Sequence, residues 1–333
     1  MKSENKHKKR IGRISAQSVK TTLLVLFSML GVILISLGFV GDYFYNLTIN
    51  ADVDRGILFK KNQKSDISPE ASEQSHIDVK LLSWIAEKSR NEYIDTDDGL
   101  RLHGYEIENP ENSHRWVILV HGYNSQGLKM KTEAEIFYNM GYSVLLPDLR
   151  GCGESQGSVI GMGWLDRLDM LRWIEHIVQK DSDARIVLYG VSMGGATVMM
   201  TTGEQLPSNV KAAIEDCGYT SAKEEFEQQF KEFFGLPSFP VITSADAVCF
   251  FRAGYTFEQA SSVEQVKKSV TPTLFIHGDE DTFVPFEMLD KVYASANCPK
   301  EKLVINGAGH VGSSSKNPKL YWSTVENFLA KYV

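Results

Sequence analysis

Short apolar runs alternate with amphipathic stretches from residue 92 to the end of this 333-residue chain, and this alternation constrains the fold more than any other feature. The run Arg115–Val120 is almost wholly apolar, as expected of a strand that is buried on both faces of a sheet. Strand-like runs that alternate with helical periodicity are typical of βαβ units. The sequence therefore predicts an α/β protein with a mostly parallel, doubly wound sheet and helices on both of its faces.

The predicted elements follow one another with little interruption. Residues 93–96 and 101–108 flank a turn at Gly99 and predict a hairpin. The predicted strands are 115–120, 142–146, 184–189, 210–215, 273–277 and 302–305, and the predicted helices are 79–89, 128–140, 164–179, 193–204, 287–296 and 318–332. We expect residues 92–333 to form one domain.

Residues 218–259 interrupt the alternation. Phe226, Phe230, Phe233 and Phe234 recur there at the spacing of one face of a helix. Such a stripe can simply pack into the core, and some of these rings should do so. A long insert in an α/β domain is usually functional, however, and ligands bind at the carboxyl edge of such sheets. We therefore expect a helical cap over this edge.

Residues Thr21–Val40 contain no charged side chain. About 20 residues that each rise 1.5 Å span a hydrocarbon core of about 30 Å, so this run predicts a transmembrane helix. A buried core helix would show a polar face, and a cleaved signal peptide would have a shorter apolar region followed by a small-x-small site. The run has neither feature and is followed by Tyr43, Phe44 and Tyr45, which are residues typical of membrane interfaces.

The charges around this run predict the topology. Residues 1–20 form a basic arm with seven Lys or Arg residues and one acid, whereas the whole chain has a net charge of −7. The positive-inside rule then predicts a cytoplasmic N-terminus and an extracytoplasmic domain. Residues 41–91 are expected to form a membrane-proximal spacer. Because the body of the chain is acidic, the sequence does not indicate a nucleic-acid partner.

The pentapeptide Gly190–Gly194 has the pattern G-x-S-x-G, with Ser192 at its centre. The pattern alone is weak, but here it lies between a predicted strand and a predicted helix. A nucleophile elbow requires this setting, because the two glycines let the chain turn sharply and leave the serine hydroxyl exposed. The alternative is a glycine-rich turn with an idle serine, which the setting disfavours. We predict Ser192 as the nucleophile.

A serine hydroxyl is a poor nucleophile until a base takes its proton. His310 lies in a glycine-rich loop after the last predicted strand, and we predict it as this base. His121 and His277 each end a predicted strand and are expected to make local hydrogen bonds instead.

The base needs a carboxylate that orients its ring. Asp281 follows the strand 273–277 and precedes the histidine loop, which makes it the favoured residue. Asp279 and Glu280 are close alternatives, and Asp216 is a more distant one. Asp279 is expected to shape the turn through its side chain.

Two backbone N–H groups that bind an oxyanion would complete such a site. Met193 follows the predicted nucleophile, and Tyr123 lies just after the strand 115–120. We predict the N–H groups of these two residues as the donors.

Together these motifs resemble the α/β-hydrolase superfamily, and within it the bacterial membrane-anchored or secreted hydrolases of the serine aminopeptidase-like and Bem46-like branches. The matching segments are His121-Gly122, Asp148–Ser155, Gly190–Gly194, Asp281 with Val284-Pro285, and Gly309-His310. The resemblance starts at about residue 92 and implies the α/β-hydrolase fold. It also implies that Asp148–Ser155 is a structural loop, in which Cys152 stands where many relatives have another residue.

The resemblance implies a serine hydrolase that works through an acyl-enzyme, without a cofactor or a metal. Ester hydrolysis is the leading expectation, because an aromatic cap suits an apolar acyl chain. A peptidase, a thioesterase or an acyltransferase would use the same residues, and an inactive binding module is a further alternative. The widely spaced Cys152, Cys217, Cys249 and Cys298 are expected to be free thiols.

Overall fold

The structure, a computed structural model, describes residues 16–53, 69–111 and 114–333. Residues 1–15 of the basic arm and residues 54–68 of the expected spacer lie outside the described residues. All four cysteines are described and buried, and they form no disulfide with one another.

One eight-stranded sheet forms the centre of the domain, in the order β1-β2-β4-β3-β5-β6-β7-β8. The strands are β1 (Arg90–Asp95), β2 (Arg101–Ile107), β3 (Arg115–Val120), β4 (Ser143–Pro147), β5 (Arg185–Val191), β6 (Val210–Asp216), β7 (Thr273–Gly278) and β8 (Lys300–Ile305). The first two strands form an antiparallel hairpin, β2 is antiparallel to β4, and the remaining pairs are parallel. The predicted α/β fold with a mostly parallel sheet is confirmed.

Helices cover both faces of this sheet. The helices of the described residues are α1 (Ala16–Thr48), α2 (Pro69–Lys88), α3 (Lys131–Asn139), α4 (Asp166–Lys180), α5 (Met193–Thr202), α6 (Ala222–Phe234), α7 (Val241–Ala253), α8 (Ser262–Val266), α9 (Glu287–Ser295), α10 (Ser313–Lys316) and α11 (Pro318–Tyr332). Trp173 of α4 and Met200 of α5 belong to the hydrophobic cluster on one face, and Phe137 of α3 and Phe328 of α11 to the cluster on the other. The apolar strands are buried because each face has its own helical layer.

Two local features differ from the prediction. The helix predicted at 128–140 begins with a separate 3₁₀ turn, Gly127–Met130, whose first N–H donates to the Asp148 carboxylate at 2.7 Å. This bond fixes the turn against the end of β4, so the chain cannot enter the α-helix directly. The helix predicted at 79–89 is the second half of the longer α2.

The expected cap consists of α6 and α7, which lie between β6 and β7 in the chain. The hydroxyl of Ser221 accepts the N–H of Glu224 and caps the start of α6, and Gly235 ends this helix in a left-handed conformation with φ 63°. The rings of Phe226 and Phe230 are buried, whereas those of Phe233 and Phe234 are half exposed. The predicted stripe therefore serves both as core and as surface.

The apolar helix α1 continues eight residues beyond the expected end of the membrane segment at residue 40. Up to that point the helix is largely exposed, and it is long and apolar enough to cross a membrane. Beyond it, Tyr45 and Ile49 are buried in the core, and the carbonyl of Ile49 accepts the N–H of Ile160 at 2.8 Å. Gly41 is needed for the close approach to α7, because a Cβ there would lie 2.5 Å from the carbonyl oxygen of Ser244. Residues 41–50, expected to belong to a spacer, are thus packed into the domain.

Candidate active site

Ser192 lies at the carboxyl end of β5, in the sharp turn that leads into α5. Its backbone has φ 58° and ψ −120°, a conformation that L-residues rarely adopt. Two glycines permit the turn: a Cβ at Gly190 would lie 2.1 Å from the carbonyl oxygen of Gly194, and a Cβ at Gly194 would lie 2.0 Å from that of Val120. The surrounding chain therefore holds the serine in a strained position, as is common at functional sites.

The structure brings Ser192, His310 and Asp281 together in one hydrogen-bonded series. The Oγ atom of Ser192 is 2.9 Å from Nε2 of His310, and Nδ1 of the same ring is 2.8 Å from Oδ2 of Asp281. When Nδ1 carries the proton, it donates to the carboxylate and leaves Nε2 free to accept the serine hydroxyl. These side chains come from three loops, after β5, β7 and β8, that meet at the carboxyl edge of the sheet.

Asp281 is held in place from several sides. Its Oδ1 accepts the N–H groups of Phe283 and Val284 at 2.9 and 3.0 Å, and Nε2 of His277 lies 3.3 Å from Oδ2. Burial raises the pKa of Asp281, but hydrogen bonds from His277 and His310 outweigh this effect and hold the pKa at about 2. The group is therefore a carboxylate at neutral pH, and it can stabilise a positive charge on the His310 ring.

The alternatives to Asp281 lie elsewhere. Asp279 accepts the N–H of Gly307 at 2.6 Å and so connects the loop after β7 to the loop after β8. Asp216 accepts the hydroxyl of Tyr321 at 2.9 Å, on the face of the sheet that α11 covers. Neither carboxylate is hydrogen-bonded to His310 in the described part of the chain.

His121 is hydrogen-bonded to two backbone groups. Its Nδ1 donates to the carbonyl of Gly122 at 2.8 Å, and its Nε2 accepts the N–H of Leu149 at 3.0 Å. Burial lowers the pKa of His121, which keeps the ring neutral in this position. The ring thus joins the loop after β3 to the loop after β4.

Cys217 is a further side chain beside the series. Its thiol and the donor atoms of Asp281 and His310 lie within 4.8 Å of one another, a grouping that could in principle hold a metal ion. Burial, followed by the negative charge of Asp216, raises the pKa of Cys217 well above its usual value. Without a cation beside it, the group is therefore a neutral thiol at neutral pH.

The two predicted oxyanion residues border Ser192 from different elements. Met193 is the first residue of α5, where helix N–H groups have no acceptor within the helix and the helix dipole is positive. The loop after β3 passes beside the serine, since a Cβ at Gly122 would be in van der Waals contact with Cβ of Ser192 at 3.4 Å. The next residue, Tyr123, donates its hydroxyl to the carbonyl of Thr48 at 2.7 Å. The end of α1 is thereby bonded to the loop beside the serine.

An apolar pocket adjoins Ser192. It is lined by rings of the cap, by side chains of the loops around the serine and by the end of α1, namely Phe44, Leu47, Thr48, Tyr123, Met162, Met193, Tyr219, Phe226, Phe230, Phe233, Phe234, Ile242, Phe283 and Val284. The ring centroid of Phe44 is 5.4 Å from that of Phe230 and 5.7 Å from that of Phe234. An apolar group next to the serine would therefore contact mainly aromatic and aliphatic carbon.

Glu225 and Gln229 are the polar cap residues of this pocket, and no motif in the sequence distinguishes either from its neighbours. Glu225 is only 4% exposed, and its Oε1 accepts the amide of Gln229 at 3.0 Å, while Oε2 has no hydrogen-bond partner among the described residues. Burial raises the pKa of Glu225 to about 8, against a smaller lowering by the Gln229 amide. The carboxyl is therefore protonated at neutral pH, and the pocket carries no charge there.

This burial predicts a pH-dependent cost to stability. The folded-state pKa of Glu225 lies above its unfolded value of 4.5, so wild-type stability should fall as the pH rises from about 5 to about 8, by up to about 1.4 kcal/mol per pH unit. Glu225→Gln removes this titration. In denaturant unfolding of the full chain in detergent, the variant should gain stability relative to wild type across this range. Glu232→Gln, an exposed change on the same helix, is the matched control; parallel curves for wild type and Glu225→Gln would contradict the expectation.

Known proteins are similar in sequence to parts of this chain. A family model described as serine aminopeptidase, S33, matches residues 111–236. The uncharacterized protein YqkD of Bacillus subtilis (strain 168) is 26% identical over 275 residues, which cover 82% of this chain and 89% of YqkD. Lysophosphatidylserine lipase ABHD12 of Macaca fascicularis is 26% identical over 198 residues, which cover 56% of this chain and 46% of that protein.

Solved structures show the same architecture. The esterase Pf2001 of Pyrococcus furiosus matches with a TM-score of 0.63 at 23% sequence identity, over 75% of this chain and 93% of that chain. This likeness shows a shared fold.

Proposed function

We propose that this chain is a member of the α/β-hydrolase superfamily and works as a membrane-anchored serine hydrolase that cleaves carboxylic esters through an acyl-enzyme. The observation that carries the proposal is the hydrogen-bonded series from Ser192 through His310 to Asp281. A nucleophile, a base and an orienting carboxylate in contact are the parts that acyl transfer to serine requires.

In the proposed mechanism each group has its own step. Ser192 Oγ attacks the acyl carbonyl while His310 Nε2 takes its proton, and Asp281 keeps the ring oriented and stabilises its positive charge. The N–H groups of Tyr123 and Met193 bind the oxyanion of the tetrahedral intermediate. His310 then gives the proton to the leaving alcohol. Water, activated by the same ring, releases the acid and restores the free serine.

The pocket favours an ester with an apolar acyl group over a peptide. An aminopeptidase substrate carries an ammonium group, which the mainly apolar walls would desolvate, and in the empty pocket burial keeps the nearby Glu225 neutral. Apolar walls beside the nucleophile suit an acyl chain instead. The solved esterase and the lipase that this chain resembles are consistent with this preference. The strained backbone of Ser192 also disfavours an inactive binding module, because such strain costs stability and is typical of functional sites.

The serine assignment predicts loss of all covalent chemistry in Ser192→Ala. The full chain in detergent should react with a fluorophosphonate probe and hydrolyse 4-nitrophenyl butyrate, and Ser192→Ala should end the labelling and lower the hydrolysis rate on the order of 10³-fold or more. Ser182→Ala, at an exposed turn, is the control and should behave like wild type. Labelling that persists in Ser192→Ala would mean that another residue is the nucleophile.

We further propose that α1 anchors the chain with its N-terminus in the cytoplasm and residues 92–333 outside. The support is the length and exposure of the apolar helix, together with the basic residues that precede it. A reporter that is active only outside the cytoplasm, fused after Val333, should be active in the full chain. Activity of a cytoplasm-only reporter at the same position would overturn this orientation.

A further inference from the structure

The apolar pocket beside Ser192 has walls of two origins. One wall belongs to the cap, and the other belongs to α1, which contributes Phe44, Leu47 and Thr48. The helix proposed to cross the membrane is therefore also a wall of the proposed acyl site. A soluble domain that was merely tethered would not need this contact.

The distance from the membrane to this wall is short. Phe44 and Thr48 follow Val40, the last residue of the uncharged run, by four and eight residues. At 1.5 Å per residue they lie about 6 and about 12 Å along the helix axis from the expected edge of the hydrocarbon. The headgroup layer adds about 5–7.5 Å on each side of the hydrocarbon, so it ends near the level of Phe44.

The cap itself reaches the level of the uncharged run. A groove between α1 and α7 is lined by Ile35, Phe39 and Phe251, and the ring of Phe251 is 84% exposed. Arg252 of α7 and Asp42 of α1 also line this groove, and their ion pair at 2.5 Å marks the change from apolar to charged surface. Exposed aromatic rings at such a boundary are typical of a membrane interface.

The pocket approaches the surface at the end of α6. Phe233 and Phe234 line the pocket yet remain about half exposed, and the ring of Phe234 contacts that of Phe44. An apolar path therefore leads from the exposed rings at the end of α6, along α1, to the side chain of Ser192. Each step on this path is bordered by carbon, as an alkyl chain requires.

We propose that the substrate is a membrane-resident ester with a single acyl chain, which enters the pocket from the bilayer between α1 and α6. This inference rests on the proposed ester hydrolysis. The acyl chain slides along Phe44 and Leu47 while the ester carbonyl reaches Ser192 close to the surface of the bilayer. The anchor thus both holds the enzyme at the membrane and shapes the site that receives its lipid.

The first test uses the full chain reconstituted in phosphatidylcholine vesicles, with monopalmitoylglycerol in the bilayer and 4-nitrophenyl acetate in the water. Leu47→Trp fills the α1 side of the pocket and should lower kcat/KM for monopalmitoylglycerol at least tenfold more than it lowers kcat/KM for the acetate. Leu34→Trp, on an exposed part of α1, is the matched control and should change neither rate. Equal losses on both esters in Leu47→Trp, or no loss on either, would overturn the proposal, as would equally rapid cleavage of dipalmitoylglycerol.

The second test does not depend on catalysis. An environment-sensitive fluorophore is attached to Phe251→Cys and, as control, to Val270→Cys, which lies in the loop before β7 and is also 84% exposed. In the same vesicles, a quencher on the lipid chains should reduce the emission of the label at position 251 and leave the label at 270 unchanged. Equal quenching at the two sites would contradict the membrane position of the cap. If quenching differs as expected but no ester is cleaved, the proposed hydrolysis fails while the membrane contact of the cap stands.

Discussion

The hydrogen bond between Asp281 and His310 is the interaction on which the rest of the site depends. The carboxylate comes from the end of β7 and the imidazole from the loop after β8, so their contact fixes two neighbouring strand ends relative to each other. The N–H groups of Phe283 and Val284 and the ring of His277 hold the carboxylate from behind. Because the imidazole is oriented from that side, its other nitrogen faces the strained serine at the end of β5.

The same edge of the sheet is where the apolar helix α1 joins the domain. The carbonyl of Thr48 accepts the Tyr123 hydroxyl, and Phe44 packs on the aromatic rings of the cap. In the proposed function, membrane attachment and substrate binding are therefore coupled through one helix. A neutral Glu225 keeps the pocket uncharged, which is compatible with the apolar chain that such a position would supply.

The parts of this molecule that depend on local pattern could be predicted from the sequence. Period-two and period-3.6 patterns predict the parallel strands and their helices. The glycines at 190 and 194 predict the turn at Ser192, and in the structure a Cβ at either position would collide with neighbouring backbone. The sequence also predicts the series of Ser192, His310 and Asp281, although it leaves Asp279 as an alternative to Asp281. Its role in bonding Gly307 appears only when the two loops are seen together.

What the sequence could not predict depends on long-range packing. The apolar run of α1 ends at residue 40, and nothing in residues 41–50 indicates that they pack against α7 and the loop at 158–160. In the sequence Glu225 is one acid among several on an amphipathic helix. Its unusual pKa comes from its burial against the pocket, which the sequence does not show. His277 likewise ends a strand as predicted, but its contact with Asp281 depends on the turn that follows.

The most direct measurement of the central claim is the kcat for 4-nitrophenyl butyrate in Asp281→Asn and Asp279→Asn, with both variants folded as judged by their unfolding transitions. The amide introduced by Asp281→Asn would favour the wrong tautomer of His310, so kcat should fall on the order of 10³–10⁴-fold. The amide introduced by Asp279→Asn retains an oxygen that can accept the N–H of Gly307, so kcat should remain close to that of wild type. A full rate in Asp281→Asn, or a comparable loss in Asp279→Asn, would contradict the series of contacts from Asp281 through His310 to Ser192.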